Sequence, residues 1–98
     1  MHQLSEIQIT PVKPQDGLVA FASFVLDDGL YLGSVGIFTR PQGGHRLVYP
    51  TKKVGARDIN LFHPISKEFA VEVERAVLNK LEEVMNRNND RHHSLNAE

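Results

Sequence analysis

The sequence predicts an α+β fold, an antiparallel sheet of about four strands followed by one long C-terminal α-helix. Three observations carry this. Apolar runs of strand length, separated by turn-forming Gly, Pro and Asp, fill the first half of the chain. A stretch free of Gly and Pro follows from Ser66 to Arg87, as a helix requires. The length of 98 residues allows one core, so residues 1–87 read as a single domain, with a frayed polar tail at 88–98.

The elements follow in order. Ile7, Ile9 and Val12 are spaced like a half-buried strand within Ser5 to Val12, and Pro11 and Pro14 limit it to a sheet edge or a strand end. Gln15, Asp16 and Gly17 read as a turn. From Leu18 to Leu26 every residue but Ser23 is apolar, the pattern of a central strand covered on both faces. Asp27, Asp28 and Gly29 form a turn that accounts for the acid pair and sends Leu30 to Thr39 back antiparallel. Gly33 and Gly36 inside that run predict a bulge or bend. Pro41 to Gly44 turn the chain again into a short strand, Arg46 to Tyr49, which Pro50 ends.

Thr51 to Pro64 has no periodicity and reads as irregular. Ser66 is then a suitable N-cap, with Glu68 in the first turn to favour the helix dipole. Along the helix Phe69, Val73, Ala76, Val77, Leu81 and Val84 form one line, and Val71, Leu78 and Met85 a second beside it. Together they span roughly 220°, more than the ~100° that covers one sheet. The surplus is expected to be buried against a second copy of the chain; the alternative is burial between sheet and loop in a monomer.

Several functional classes are disfavoured. Cysteine is absent, which excludes disulfides and thiolate metal sites. No segment has the length and apolarity of a membrane span, and Met1 to Glu6 lacks the apolar run of a signal peptide, so the cytoplasm is the expected location. No nucleophile elbow, phosphate-cradling loop or dinucleotide fingerprint is present, so neither an enzyme nor a cofactor or small-molecule substrate is expected. His63 has no partner ligands at metal-binding spacing and reads as a structural imidazole bonded to backbone near the helix start, with no metal site expected.

Charge, in contrast, is sorted along the chain. Arg40 to Arg57 contains five of the eleven Lys and Arg residues, together with His45, and no Asp or Glu. The rest carries a formal charge of about minus six, because the whole sums to minus one. A basic stripe of this kind is the electrostatic footprint of nucleic-acid binding. Arg40, Arg46, Lys52, Lys53 and Arg57 fall among turn residues and strand ends, from which they reach phosphates, while Tyr49 and His45 are placed to touch bases. The competing explanation is that these cations pair with Glu72, Glu82 and Glu83 on the helix and serve solubility alone.

Four segments, in order, resemble one family. They are Ala20 to Asp27 (AFASFVLD), Pro50-Thr51-Lys52-Lys53, Arg57-Asp58-Ile59 with His63-Pro64-Ile65, and Ala76-Val77-Leu78-Asn79. Their order and spacing over Ile7 to Val84 are similar to those of the stage V sporulation protein G (SpoVG) family of septation regulators. The resemblance implies a small dimeric α+β domain that binds DNA and RNA as a bacterial regulator, with effects on cell division, sporulation or virulence traits. It places the family's basic pair on Lys52 and Lys53, and a third cation on Arg57. There are departures. Val54-Gly55-Ala56 replaces a longer family loop containing Thr-Pro-Asp-Gly, and Asn60, Leu61 and Phe62 replace a single small residue. These leave the position of Arg57 relative to Lys52 open. His45 and Arg46 stand where many members are uncharged.

The expected function is thus a homodimeric regulator that binds DNA, RNA or both through a basic loop and strand-end surface. The alternative is a protein-interaction module that recruits or inhibits a partner through the helix face or the sheet edge near Ile7 and Ile9.

Overall fold

A computed structural model of the chain describes residues 2–86 in full and the backbone alone for 87–97. The polar tail expected at Asn88 to Glu98 lies outside the fully described residues. Four strands, β1 (Leu4–Gln15), β2 (Leu18–Leu26), β3 (Leu30–Thr39) and β4 (His45–Val48), form an antiparallel sheet in the order β1-β2-β3-β4. Two further strands, β5 (Thr51–Val54) and β6 (Arg57–Asn60), pair only with each other, and helix α1 (Lys67–Ala97) follows. The α+β architecture is the one expected from the sequence.

Local chemistry sets the connections. Asp16 and Gly17 both have positive φ (54° and 92°), as a two-residue hairpin turn of the primed kind requires. At the next turn Asp27 and Asp28 take positive φ, and the Gly29 N–H donates to the Leu26 carbonyl at 3.0 Å. Asp27 also ties down the N-terminal segment, accepting a hydrogen bond from the Gln3 N–H on Oδ1 at 2.8 Å. Ser66 caps α1 as expected, its Oγ accepting from the Phe69 N–H at 3.0 Å.

The core lies between one face of the sheet and the helix. Ala20, Ala22 and Phe24 of β2, Val35 and Ile37 of β3, and Val73, Val77 and Leu81 of α1 are buried together. Leu4, Ile7 and Ile9 of β1 pack against this cluster from the sheet edge. No helix of the described residues is long and apolar enough to cross a membrane.

Two expectations need correction. Strand β2 is not covered on both faces, because the single helix shields only the side bearing Ala20, Ala22 and Phe24. On the opposite side Phe21 remains 39% exposed. The second correction concerns Thr51 to Pro64, which contains the β5–β6 hairpin. Its strands are four residues each with no buried face, so they carry no apolar alternation by which a sequence pattern reveals a strand.

The glycines of β3 do two jobs. Ser23 of β2 faces both Gly33 and Ser34, so a bulge sits there as expected, and Ser34 is held at φ 63°. In addition, both glycines seat aromatic rings. A Cβ on Gly33 would stand 3.0 Å from the Tyr31 ring, and one on Gly36 would stand 2.9 Å from the Phe38 ring.

A basic two-stranded arm

The stretch that reads as one basic block forms two clusters separated by β4. Arg40, His45 and Arg46 lie at the β3–β4 turn, whereas Lys52, Lys53 and Arg57 lie on the β5–β6 hairpin beyond the far end of β4. Four residues of strand span roughly 13 Å. The first cluster is held by local contacts. Arg40 donates from Nε to the His45 carbonyl at 3.2 Å, and the Arg46 guanidinium lies 5.5 Å from the Phe38 ring centroid, a cation–π distance.

The second cluster is presented differently. Every residue of β5 and β6 is exposed, so the hairpin is an arm with no core of its own. Gly55 has φ 64° while Ala56 does not take positive φ, the signature of a two-residue loop with glycine at its first central position. At the root, the Leu61 N–H donates to the Pro50 carbonyl at 3.0 Å and closes the ribbon. Tyr49, just before the hairpin, and Phe62, just after it, then meet edge to face with ring centroids 6.0 Å apart.

Tyr49 therefore stands at the root of the arm rather than among the cations. It is half-buried beside an apolar cavity of about 180 Å³ that Phe24, Leu32, Phe62 and Phe69 also line. Burial, helped by the nearby Glu74 carboxylate, raises its phenol pKa above the usual tyrosine value. A ring so packed is poorly placed to stack on a base. Its evident task is to hold the arm.

Register resolves the relation between Arg57 and the lysine pair. Lys52 faces Ile59, Lys53 faces Asp58, and Val54 faces Arg57. Residues directly opposite share a face, and neighbours along a strand alternate. One face of the ribbon therefore carries Lys52, Arg57, Val54 and Ile59, with two cations and two exposed aliphatic side chains. The other carries Thr51, Lys53, Asp58 and Asn60, where the acid offsets the lysine. Lys52 and Lys53, adjacent in sequence, point to opposite sides. The shortened loop brings Arg57 to the diagonal neighbour position of Lys52, roughly 7–8 Å across the pair.

Among the described residues none of these five cations forms an ion pair. Pairing with the acidic helix is thus not what occupies them. His63 matches its expected structural role, its Nδ1–H donating to the Pro64 carbonyl at 3.0 Å beside the helix start. The residue overlooked by sequence reasoning is Phe62, the clasp of the arm. Its signal was the aromatic inside an insertion relative to the SpoVG pattern. The chain matches no protein-family model and no curated protein, so its likeness to the SpoVG family rests on those four segments.

Proposed function

We propose that the protein is a non-catalytic, nucleic-acid-binding regulator of the kind the SpoVG resemblance implies, acting in the bacterial cytoplasm and gripping DNA or RNA with its β5–β6 arm. One observation carries the reading: a two-stranded ribbon whose every residue is exposed bears Lys52, Lys53 and Arg57, none of them in an ion pair among the described residues. A ribbon of two strands fits the major groove of duplex DNA, and lysine and arginine on it neutralise phosphates. Lys52 and Arg57 act together from one face, with Lys53 secondary because Asp58 faces it. Arg40, Arg46 and His45 add positive potential from the β3–β4 turn.

A homodimer supports this function by presenting two arms. Val71 and Met85, on the second apolar line of the helix, remain 45% and 48% exposed and are the natural surface for a second copy. The test of the main reading is a polarisation titration with duplex DNA, single-stranded DNA and RNA at several salt concentrations, comparing the parent with Lys52→Ala/Arg57→Ala. Affinity should fall steeply with salt in the parent and less steeply in the variant. Salt-insensitive binding, or a variant that binds like the parent, would refute it. Sedimentation at micromolar concentration tests the dimer, which a monomer there would exclude.

A protein-interaction module is the second reading, and exposed apolar residues at the arm root favour it. Leu61 is 58% exposed and Ile65 is 94% exposed, flanking the clasp and the helix start. The edge of β1 is a poorer docking strand. Pro11 and Pro14 lack N–H donors, and the register slips between Ser5 and Gln8, where Glu6 takes positive φ.

A further inference from the structure

The face of the four-stranded sheet turned away from the helix is the most distinctive surface that the arm does not use. Register assigns to it Ser5, Gln8 and Thr10 of β1, Leu18, Phe21, Ser23 and Val25 of β2, Tyr31 and Phe38 of β3, and Arg46 and Val48 of β4. Among these paired positions there is no carboxylate and one cation. Gln8, Thr10, Phe21, Ser23, Tyr31 and Ser34 surround an open depression of about 320 Å³. Its walls alternate aromatic rings with neutral groups able to donate and accept hydrogen bonds.

Tyr31 is 69% exposed and Phe21 is 39% exposed, on the two central strands. Phe21 and Val25 are four residues apart on β2, and Val25 faces Tyr31, so the two ring positions lie roughly 13 Å apart along the sheet. Gly33 lets the Tyr31 ring lean over the strand, because a Cβ there would stand 3.0 Å from the ring. At the β4 side of the same face, Arg46 stacks over Phe38, which itself leans over Gly36. Tyr31 keeps most of its ring in solvent; aromatic rings on an open sheet, flanked by an amide, hydroxyls and a cation, suit unpaired bases that stack and expose their hydrogen-bonding edges.

We propose that this open sheet face binds unpaired bases of single-stranded nucleic acid. Tyr31 and Phe21 each stack on a base, Gln8, Thr10, Ser23 and Ser34 contact base edges, and Arg46 meets the phosphate backbone. The proposal rests on the nucleic-acid reading of the arm and extends it: the arm supplies charge, and the sheet selects strands with unstacked bases over duplex.

The test uses the full chain and a dye-labelled oligothymidylate, with a duplex of the same length as comparison. Tyr31→Ala should weaken single-strand binding roughly tenfold or more while leaving duplex binding unchanged, and Tyr31→Phe should retain the parent affinity. The exposure of Tyr31 makes these variants compatible with folding, and circular dichroism checks it. A second readout comes from the chain's two tyrosines. With Tyr49→Phe in place Tyr31 is the sole emitter, and stacking should quench it as oligothymidylate is added. If Tyr31→Ala binds the single strand as well as the parent while Lys52→Ala/Arg57→Ala does not, the sheet proposal fails and the arm reading survives. If Tyr31→Ala alters sedimentation and not binding, the face is a self-association surface and the proposal is again overturned. A parent chain that binds neither strand nor duplex removes both.

Discussion

The helix-backed sheet and the β5–β6 arm obey different rules. In the body, side chains such as Phe24, Ile37 and Val77 are sealed from water, and their identity is dictated by what they touch. In the arm every residue is exposed, and only the ribbon hydrogen bonds and the Tyr49–Phe62 clasp hold it in shape. Packing therefore explains the composition of the helix-covered side of the sheet and leaves the arm's unexplained. Val54 and Ile59 are 50% and 47% exposed beside Lys52 and Arg57, leaving apolar surface next to two cations for contact with another molecule.

The contrast is broken most directly by stability measurements. Phe24→Ala removes a ring that is 1% exposed and should destabilise the fold by about 3–5 kcal/mol in chemical denaturation, whereas Ile59→Ala in the arm should cost no more than about 0.5 kcal/mol. Comparable losses would mean that the arm is part of the cooperative core.

Binding sharpens the comparison next. Lys52→Ala/Arg57→Ala should reduce the salt slope on duplex DNA by roughly 1.8, about 0.9 for each lost phosphate contact, without moving the denaturation midpoint. Lys53→Ala should change it less, because Asp58 already faces that lysine. Equal effects of Lys52→Ala and Lys53→Ala would show that the two faces of the ribbon are not distinguished.

Ser66→Ala probes the junction between arm and helix. Loss of the Oγ acceptor for the Phe69 N–H should cost about 1 kcal/mol of stability, read in the same denaturation experiment, and leave the salt slope unchanged.

The smallest effect is expected at alkaline pH. Burial raises the Tyr49 pKa in the folded state, so its contribution to stability is complete below the ordinary tyrosine value of about 10. Above that pH the unfolded chain loses the proton more readily than the folded one, and stability falls as pH rises through the folded-state value. Tyr49→Phe should flatten this alkaline decline. An unchanged profile would place the cause elsewhere.

Much of the body was legible in local sequence. Asp16-Gly17 and Asp27-Asp28-Gly29 mark turns because few other residues take positive φ so readily, and Ser66 caps a helix by a bond within its own first turn. The arm was not legible, since exposed four-residue strands carry no periodic apolar signal. Its cations could be counted, but their faces could not. Asp58 lies one residue beyond the acid-free stretch, and only cross-strand pairing puts it opposite Lys53. Tyr49 sits between the cations in sequence and at the root of the arm in the fold, against Phe62.

By itself the sequence determined the first four strands as an antiparallel meander, the helix start and the separation of basic from acidic segments. These depend on neighbours along the chain, on turn chemistry and on apolar runs. Tertiary structure alone decided which side of the sheet the helix covers, where Tyr31 and Phe21 emerge, and that Lys52 shares a face with Arg57 rather than with Lys53. Those outcomes hang on strand register, including the slips at Val19 and at Gly33 with Ser34, and a slip of one residue moves a side chain to the opposite face.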